Sequence, residues 1–119
     1  MHERGLVGRE GERLAVRHLE DAGFCILEQN WRCELGEIDI VARDGDVLVV
    51  CEVKTRNSFS HGTPLEQVTR AKAGRLRRLA ARWLADHPGE SARDVRVDVV
   101  GVLLLSRDHA AVEHVRGID

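Results

Sequence analysis

Aromatic side chains are scarce in this 119-residue chain, at 3%, and tyrosine is absent. That scarcity argues against base stacking on exposed rings as a main binding mode. Net charge is nearly missing too: 20 acidic residues against 18 basic ones leave −2. That balance excludes a polybasic protein that adheres to nucleic acid or membrane by bulk charge, so any charged site must be local. Prolines number two, which together with 43% hydrophobic residues argues for a packed domain rather than a disordered chain. No long apolar run exists: Val99–Leu105, interrupted by Gly101, falls far short of the roughly 18 residues a membrane helix needs. The mixed-charge start, Met1 to Glu10, has no apolar h-region of a secretory signal, so the expectation is a soluble, cytoplasmic protein with no membrane partner. Cys25, Cys33 and Cys51 form no Cys-x-x-Cys, and the six histidines pair with none of them at zinc-site spacing. They read as buried, reduced thiols, with Cys51 in the core rather than acting as a nucleophile. Lysine is the rarest base: of 18 basic residues only Lys54 and Lys72 are lysine.

One domain over residues 1–119 fits this length. A narrow face of mostly small residues, Gly8, Gly11, Ala15, Leu19 and Ala22, predicts a helix from about Val7 to Ala22, capped by Gly23. Close helix packing explains the Gly5, Gly8, Gly11 spacing better than a phosphate loop, since no strand precedes it. Phe24 to Leu27 reads as a short strand. Glu37–Ala42 and Val47–Lys54 flank Arg43-Asp44-Gly45-Asp46 as a hairpin. Thr63-Pro64-Leu65-Glu66 supplies an N-cap, a first-turn proline and a capping-box acid for a second helix that stops before His87-Pro88-Gly89. Val95–Leu105 and Ala110–Val115 complete the strands. The order α-β-β-β-α-β-β predicts an α/β fold with a mixed central sheet of about five strands flanked by helices.

Chemistry concentrates on the hairpin. A two- or four-residue loop centred on Asp44-Gly45 sets Asp39 opposite Val50, Glu37 opposite Glu52, and Asp39 diagonal to Glu52, with Lys54 on the same face. Val47–Val50 is apolar at both parities and Asp39 lies between Ile38 and Ile40, so these acids sit in buried strands and need a cation or donors. Two such carboxylates suit Mg²⁺ or Mn²⁺, with Lys54 placed to meet a phosphate or water. Lys72 interrupts the stripe Leu65, Val68, Leu76, Leu79, Trp83, so its ammonium must snorkel outward or meet an acid beneath the helix. The same helix carries Arg70, Arg75, Arg77, Arg78 and Arg82 against Glu66, a local excess able to follow a phosphate backbone or simply to be a solvated face.

Gly8-Arg9-x-Gly11-Glu12-x-x-Ala15, Gly36-Glu37-Ile38-Asp39-Ile40-Val41-Ala42, Val50-Cys51-Glu52-Val53-Lys54-Thr55-Arg56 and Gly62-x-Pro64 followed by Lys72 together resemble the YraN family of small bacterial proteins. That family is similar to the restriction-endonuclease-like superfamily, whose PD-(D/E)xK motif binds a divalent metal and hydrolyses phosphodiesters, and to archaeal Holliday-junction resolvases. The resemblance implies Asp39 and Glu52 as metal ligands, Glu12 as a further acidic ligand or supporting acid, Lys54 as the motif lysine and Lys72 as a family lysine. Ile38 replaces the motif's proline, and Gln67 corresponds loosely to a glutamine of some related nucleases. A Mg²⁺- or Mn²⁺-dependent nuclease acting on DNA or another nucleic acid is thus expected, with Arg56, Arg70, Arg75 and Arg78 along the backbone. Relatives that cut both strands imply a homodimer. Two other readings stand beside it: a non-catalytic nucleic-acid- or partner-binding module, and a structural cluster in which the lysines neutralise Asp39 and Glu52.

Overall fold

The computed structural model describes residues 5–57 and 70–118. Helix α1 spans Leu6–Asp21, strand β1 Cys25–Cys33, β2 Gly36–Asp44, β3 Val47–Arg56, helix α2 Arg70–Asp86, β4 Asp94–Ser106 and β5 His109–Val115. The strands lie in one sheet in the order β1-β2-β3-β4-β5, antiparallel throughout except for the parallel β3–β4 pair. Parallel neighbours need a crossover, and α2 lies in it. This is the expected α/β fold, a mixed five-stranded sheet flanked by helices in the predicted order. The predicted start of the second helix at Thr63-Pro64-Leu65-Glu66, with Gln67 and Val68, lies outside the described residues. Among the described residues no helix is long and apolar enough to cross a membrane.

Local sequence explains the boundaries. At the end of α1, Gly23 takes φ +93 and the Phe24 amide donates to the Leu19 carbonyl at 2.9 Å while the Gly23 amide donates to Glu20. This is the Schellman pattern that a glycine after the C-cap permits. At the β2–β3 turn Gly45 adopts φ +63 as the first central residue, with Asp46 second. Type II′ hairpins give that position to glycine. The turn is therefore centred one residue later than expected, and Val41, not Asp39, faces Val50. Because the pairing moves by two positions, every side chain keeps its predicted face.

Strand β1 is a second difference: it runs to Cys33 instead of ending at Leu27, since its polar stretch Glu28-Gln29-Asn30 pairs with β2 as far as Cys33–Gly36. It is an edge strand, and its first residue Cys25 is exposed and Cys33 only partly buried. Cys51 alone fits the expectation of a buried thiol, and burial together with the nearby Asp98 carboxylate pushes its pKa far up.

The central strands are covered on both sides. Against α2, the buried Ile38, Val41, Leu48, Val50 and Val97 meet Ala73, Leu76, Leu79, Ala80 and Trp83. Ile40, Ala42, Val49, Cys51, Val100 and Val102 meet Ala15, Leu19 and Phe24 on the α1 side. The narrow α1 face brings that helix very close to the sheet: a Cβ on Gly11 would lie 1.9 Å from Thr55 Oγ1 and 2.7 Å from Thr55 Cβ. Only glycine fits there, and Glu12, the next residue, is thereby held against the sheet.

Candidate functional site

Among the described residues four acidic side chains are buried: Glu12, Asp39, Glu52 and Asp98. The first three are the acids singled out in the sequence. Asp39 lies near the start of β2 and Glu52 toward the end of β3, at one end of the sheet. Continuing the hairpin register from Ile40–Cys51 would set Asp39 beside Glu52 and Ile38 beside Val53. The ladder stops at Ile40–Cys51, and the Val53 amide donates to Asp39 Oδ2 at 2.8 Å. A side-chain carboxylate thus replaces a backbone partner where the strands part, which satisfies an otherwise orphaned amide.

Glu52 receives both lysines. Lys72 Nζ, from α2, lies 2.5 Å from Glu52 Oε2, and Lys54 Nζ lies 3.3 Å from the same oxygen. Lys72 thus meets an acid beneath its helix, one of the two outcomes its place in the apolar stripe allowed. Burial would raise the Glu52 pKa, but hydrogen bonding and attraction from Lys72, with Lys54 behind it, bring it below the ordinary carboxylate range. Burial and the adjacent Lys72 ammonium hold Lys54 below the usual lysine value. For Lys72 burial is outweighed by its hydrogen bond and attraction to Glu52 and by attraction to Asp39, so its pKa is raised. Asp39, Glu52, Lys54 and Lys72 form one electrostatic unit.

Glu12 reaches a different neighbour. Its Oε2 accepts from Asn30 Nδ2 of β1 at 2.9 Å. Among the described residues no three Asp, Glu, His or Cys side chains converge closely enough to hold an ion between them. The pair Asp39 and Glu52 nevertheless fits magnesium chemistry, in which one or two carboxylates are completed by waters and substrate phosphate.

The predicted arginines divide. Arg75 lines a small hollow of about 40 Å³ together with Glu37, Glu52, Lys72, Leu76 and Leu79. Arg70 and Arg78 are exposed on α2, and half-buried Arg56 at the end of β3 donates to the Thr55 carbonyl. Arg82 instead pairs with Glu34 and Asp86, and Arg77 donates to the Val95 carbonyl. The basic surface of α2 is thus narrower than its composition suggested.

Sequence reasoning passed over Asn30 altogether, though it set Glu37 opposite Glu52, beside which Glu37 lines the hollow. Asn30 has φ +56, the one positive value among described non-glycine residues. An asparagine in a polar break within a strand was the available signal, because asparagine tolerates this conformation best. It also passed over Asp98, fully buried, which accepts two bonds from Arg96, one from the Gly117 amide and a contact with His114 Nε2 at 2.8 Å.

The model of the uncharacterised protein family UPF0102 matches residues 11–102, which include every one of these acids and both lysines. A UPF0102 protein of a Nocardioides species is 59% identical over 112 residues, covering 94% of this chain and 90% of the relative. One from Streptomyces coelicolor is 58% identical over 119 residues, covering 99% and 92%. Another, from Frankia casuarinae, is 50% identical over 117 residues, covering 98% of each.

Proposed function

Because the chain belongs to the uncharacterised protein family UPF0102, we infer its function from the site itself and propose a metal-dependent phosphodiesterase acting on nucleic acid. The observation that carries this reading is the parting of β2 from β3 at Asp39 and Glu52, with Lys54 and Lys72 gathered on Glu52. Asp39 and Glu52 would hold Mg²⁺ or Mn²⁺, which supplies a Lewis acid for the phosphoryl oxygen and lowers the pKa of a bound water. Lys54, half-buried one pleat beyond Glu52, stands where an ammonium offsets charge on a phosphate. Lys72 fixes the Glu52 carboxylate, and Arg75 beside it extends positive charge toward the exposed α2 face.

A direct test is incubation with Mg²⁺ or Mn²⁺ on single-stranded, flapped, duplex and four-way-junction DNA, with Asp39→Asn alongside. Metal-dependent cleavage that Asp39→Asn abolishes supports the reading. Absence of cleavage on every substrate, or cleavage that survives Asp39→Asn, overturns it. One observation favours a non-catalytic binding module instead: Glu52 Oε2 is already shared by two ammonium groups. That reading predicts nucleic-acid binding lost in Arg75→Glu with Arg78→Glu and unchanged by Asp39→Asn.

A further inference from the structure

On the α1 side of the sheet a cavity of about 330 Å³ opens beside Glu12, lined by Arg9, Glu12, Arg13, Val16, Gln29 and Asn30. Its volume is at the lower end of the roughly 300–1,000 Å³ range of ligand pockets, suited to one small ligand. Successive strand residues point to opposite faces, yet Gln29 and Asn30 both line this cavity. The left-handed turn at Asn30 explains the anomaly, since it swings the second amide round to the side of the first. Non-glycine residues in that conformation persist where the surroundings hold them, and they gather at binding sites. Here the Asn30–Glu12 hydrogen bond does the holding.

The lining chemistry is specific. Gln29 and Asn30 offer carbonyl and amide groups, the pairing that primary amides make with the edges of nucleobases. Arg13, exposed on α1, pairs with Glu10 through two bonds of 2.9 and 2.7 Å, which orient its guanidinium. A guanidinium plane can stack on a base in a chain poor in aromatics. Val16 supplies an apolar wall. The pairs Gln29–Ile40 and Trp31–Ile38 flank Asp39, so the strained asparagine lies alongside it, one strand over.

We propose that this cavity, on the α1 face, seats an unpaired nucleobase of the nucleic acid whose phosphate is handled at Asp39 and Glu52, whose partner Lys72 lies on the α2 face. This rests on the phosphodiesterase reading and deepens it. The substrate is then a nucleic acid with at least one unpaired nucleotide, and a uniform duplex is handled less well.

The test measures binding in a chelator-containing buffer by fluorescence anisotropy. Its ligands are a blunt DNA duplex, the same duplex with a single-stranded tail, and one whose tail consists of abasic sugars. Wild type should bind the tailed duplex roughly tenfold tighter than either control, since one or two hydrogen bonds plus stacking are at stake. Gln29→Ala, on an exposed side chain, and Asn30→Gly, which tolerates the left-handed backbone, should each remove most of that preference. Melting temperatures are recorded in parallel to show that both variants fold. Equal binding of normal and abasic tails overturns the inference, as does a preference that survives both substitutions. Metal-dependent cleavage with no base preference would sink the inference while leaving the phosphodiesterase reading intact. Base-dependent binding without cleavage would do the reverse, and failure to bind any of the three ligands overturns the inference, with the phosphodiesterase reading left to the cleavage assay.

Discussion

Replacing Gly11 with alanine tests how closely α1 approaches the sheet, and the structure sets the scale of the effect. In an open helix interior the change would gain about 1 kcal/mol of helix propensity. At this position the new Cβ would meet Thr55 Oγ1 at 1.9 Å, Cγ2 at 2.6 Å and Cβ at 2.7 Å. Rotating the threonine side chain moves the first two atoms but not its Cβ, so the helix itself has to move. Forced overpacking of this kind costs typically 1–3 kcal/mol and occasionally more. Gly11→Ala should therefore cost about 3 kcal/mol in overpacking, at the upper end of that range, leave a net destabilisation of about 2 kcal/mol after the propensity gain, and lower the melting temperature by several degrees. The assay is urea unfolding followed by circular dichroism, run as a double-mutant cycle. Thr55→Ala should restore only part of the loss, because the 2.7 Å contact remains, while Thr55→Gly should abolish the penalty specific to Gly11→Ala. A neutral or stabilising Gly11→Ala would show that α1 does not contact β3 at Thr55.

Three further outcomes follow from the same structure. Thiol labelling read by mass spectrometry should modify Cys25 rapidly in the native protein, whereas Cys51, buried and with a raised pKa, should label only after unfolding; native labelling of Cys51 would contradict its place under α1. Asp98 and Glu52 both have folded pKa values below their ordinary 3.8 and 4.5, so the folded chain binds fewer protons and stability must fall as pH drops through that range toward the depressed values. Asp98→Asn should flatten this acid limb in a pH series of unfolding midpoints, and an unchanged limb would remove Asp98 as a source. Lys72→Met keeps the apolar stem but strips Glu52 of its nearer ammonium. For a pair of 29% and 11% side-chain exposure the cost should be about 1–2 kcal/mol, between the limits for exposed and buried pairs. No loss of stability in denaturant titration would mean that the contact is incidental.

The parts of the fold that could be read from the sequence are those where neighbours along the chain decide the outcome. The α1 small-residue face, the glycine that ends it, the hairpin and the stop of α2 before His87-Pro88-Gly89 all have local causes, and each appears in the structure within a residue or two. The hairpin shows where local information ends: Asp-Gly announced the turn, but the left-handed Gly45 is first in it, which shifts the pairing by two positions and ends the ladder at Ile40–Cys51, just before Asp39 and Glu52. Lys72 was legible because a charge in an apolar stripe demands a partner, and Glu52 is that partner. Strand β1 was not legible past Leu27, since nothing in Glu28-Gln29-Asn30 favours a strand until β2 offers its backbone. The Asp98 network was hidden for a related reason. Its donors come from Arg96, His114 and Gly117, brought together only by the β4–β5 pairing and the chain that follows β5.

The candidate site owes its form to three separate interruptions of regular structure at one end of the sheet. The β2–β3 ladder stops beyond Ile40–Cys51, Asn30 breaks the alternation of β1, and Gly11 lets α1 descend onto Thr55. Each interruption brings an acid to where a regular strand or an ordinary helix would have put backbone or a methyl group. Asp39 takes over an amide, Glu12 takes an asparagine, and Glu52 takes two lysines. Burying charge this way is costly, and hydrophobic residues of similar volume would often stabilise a fold as well or better. Packing alone therefore does not account for three carboxylates and two lysines at one edge of a core built from valine, isoleucine and leucine. A cation arriving at Glu52 must share or displace the Lys72 ammonium, which ties occupancy of the site to the position of α2. The exposed Arg70 and Arg78 lie on that same helix, so a phosphate backbone along α2 and a cation at Glu52 would act on one element from two sides.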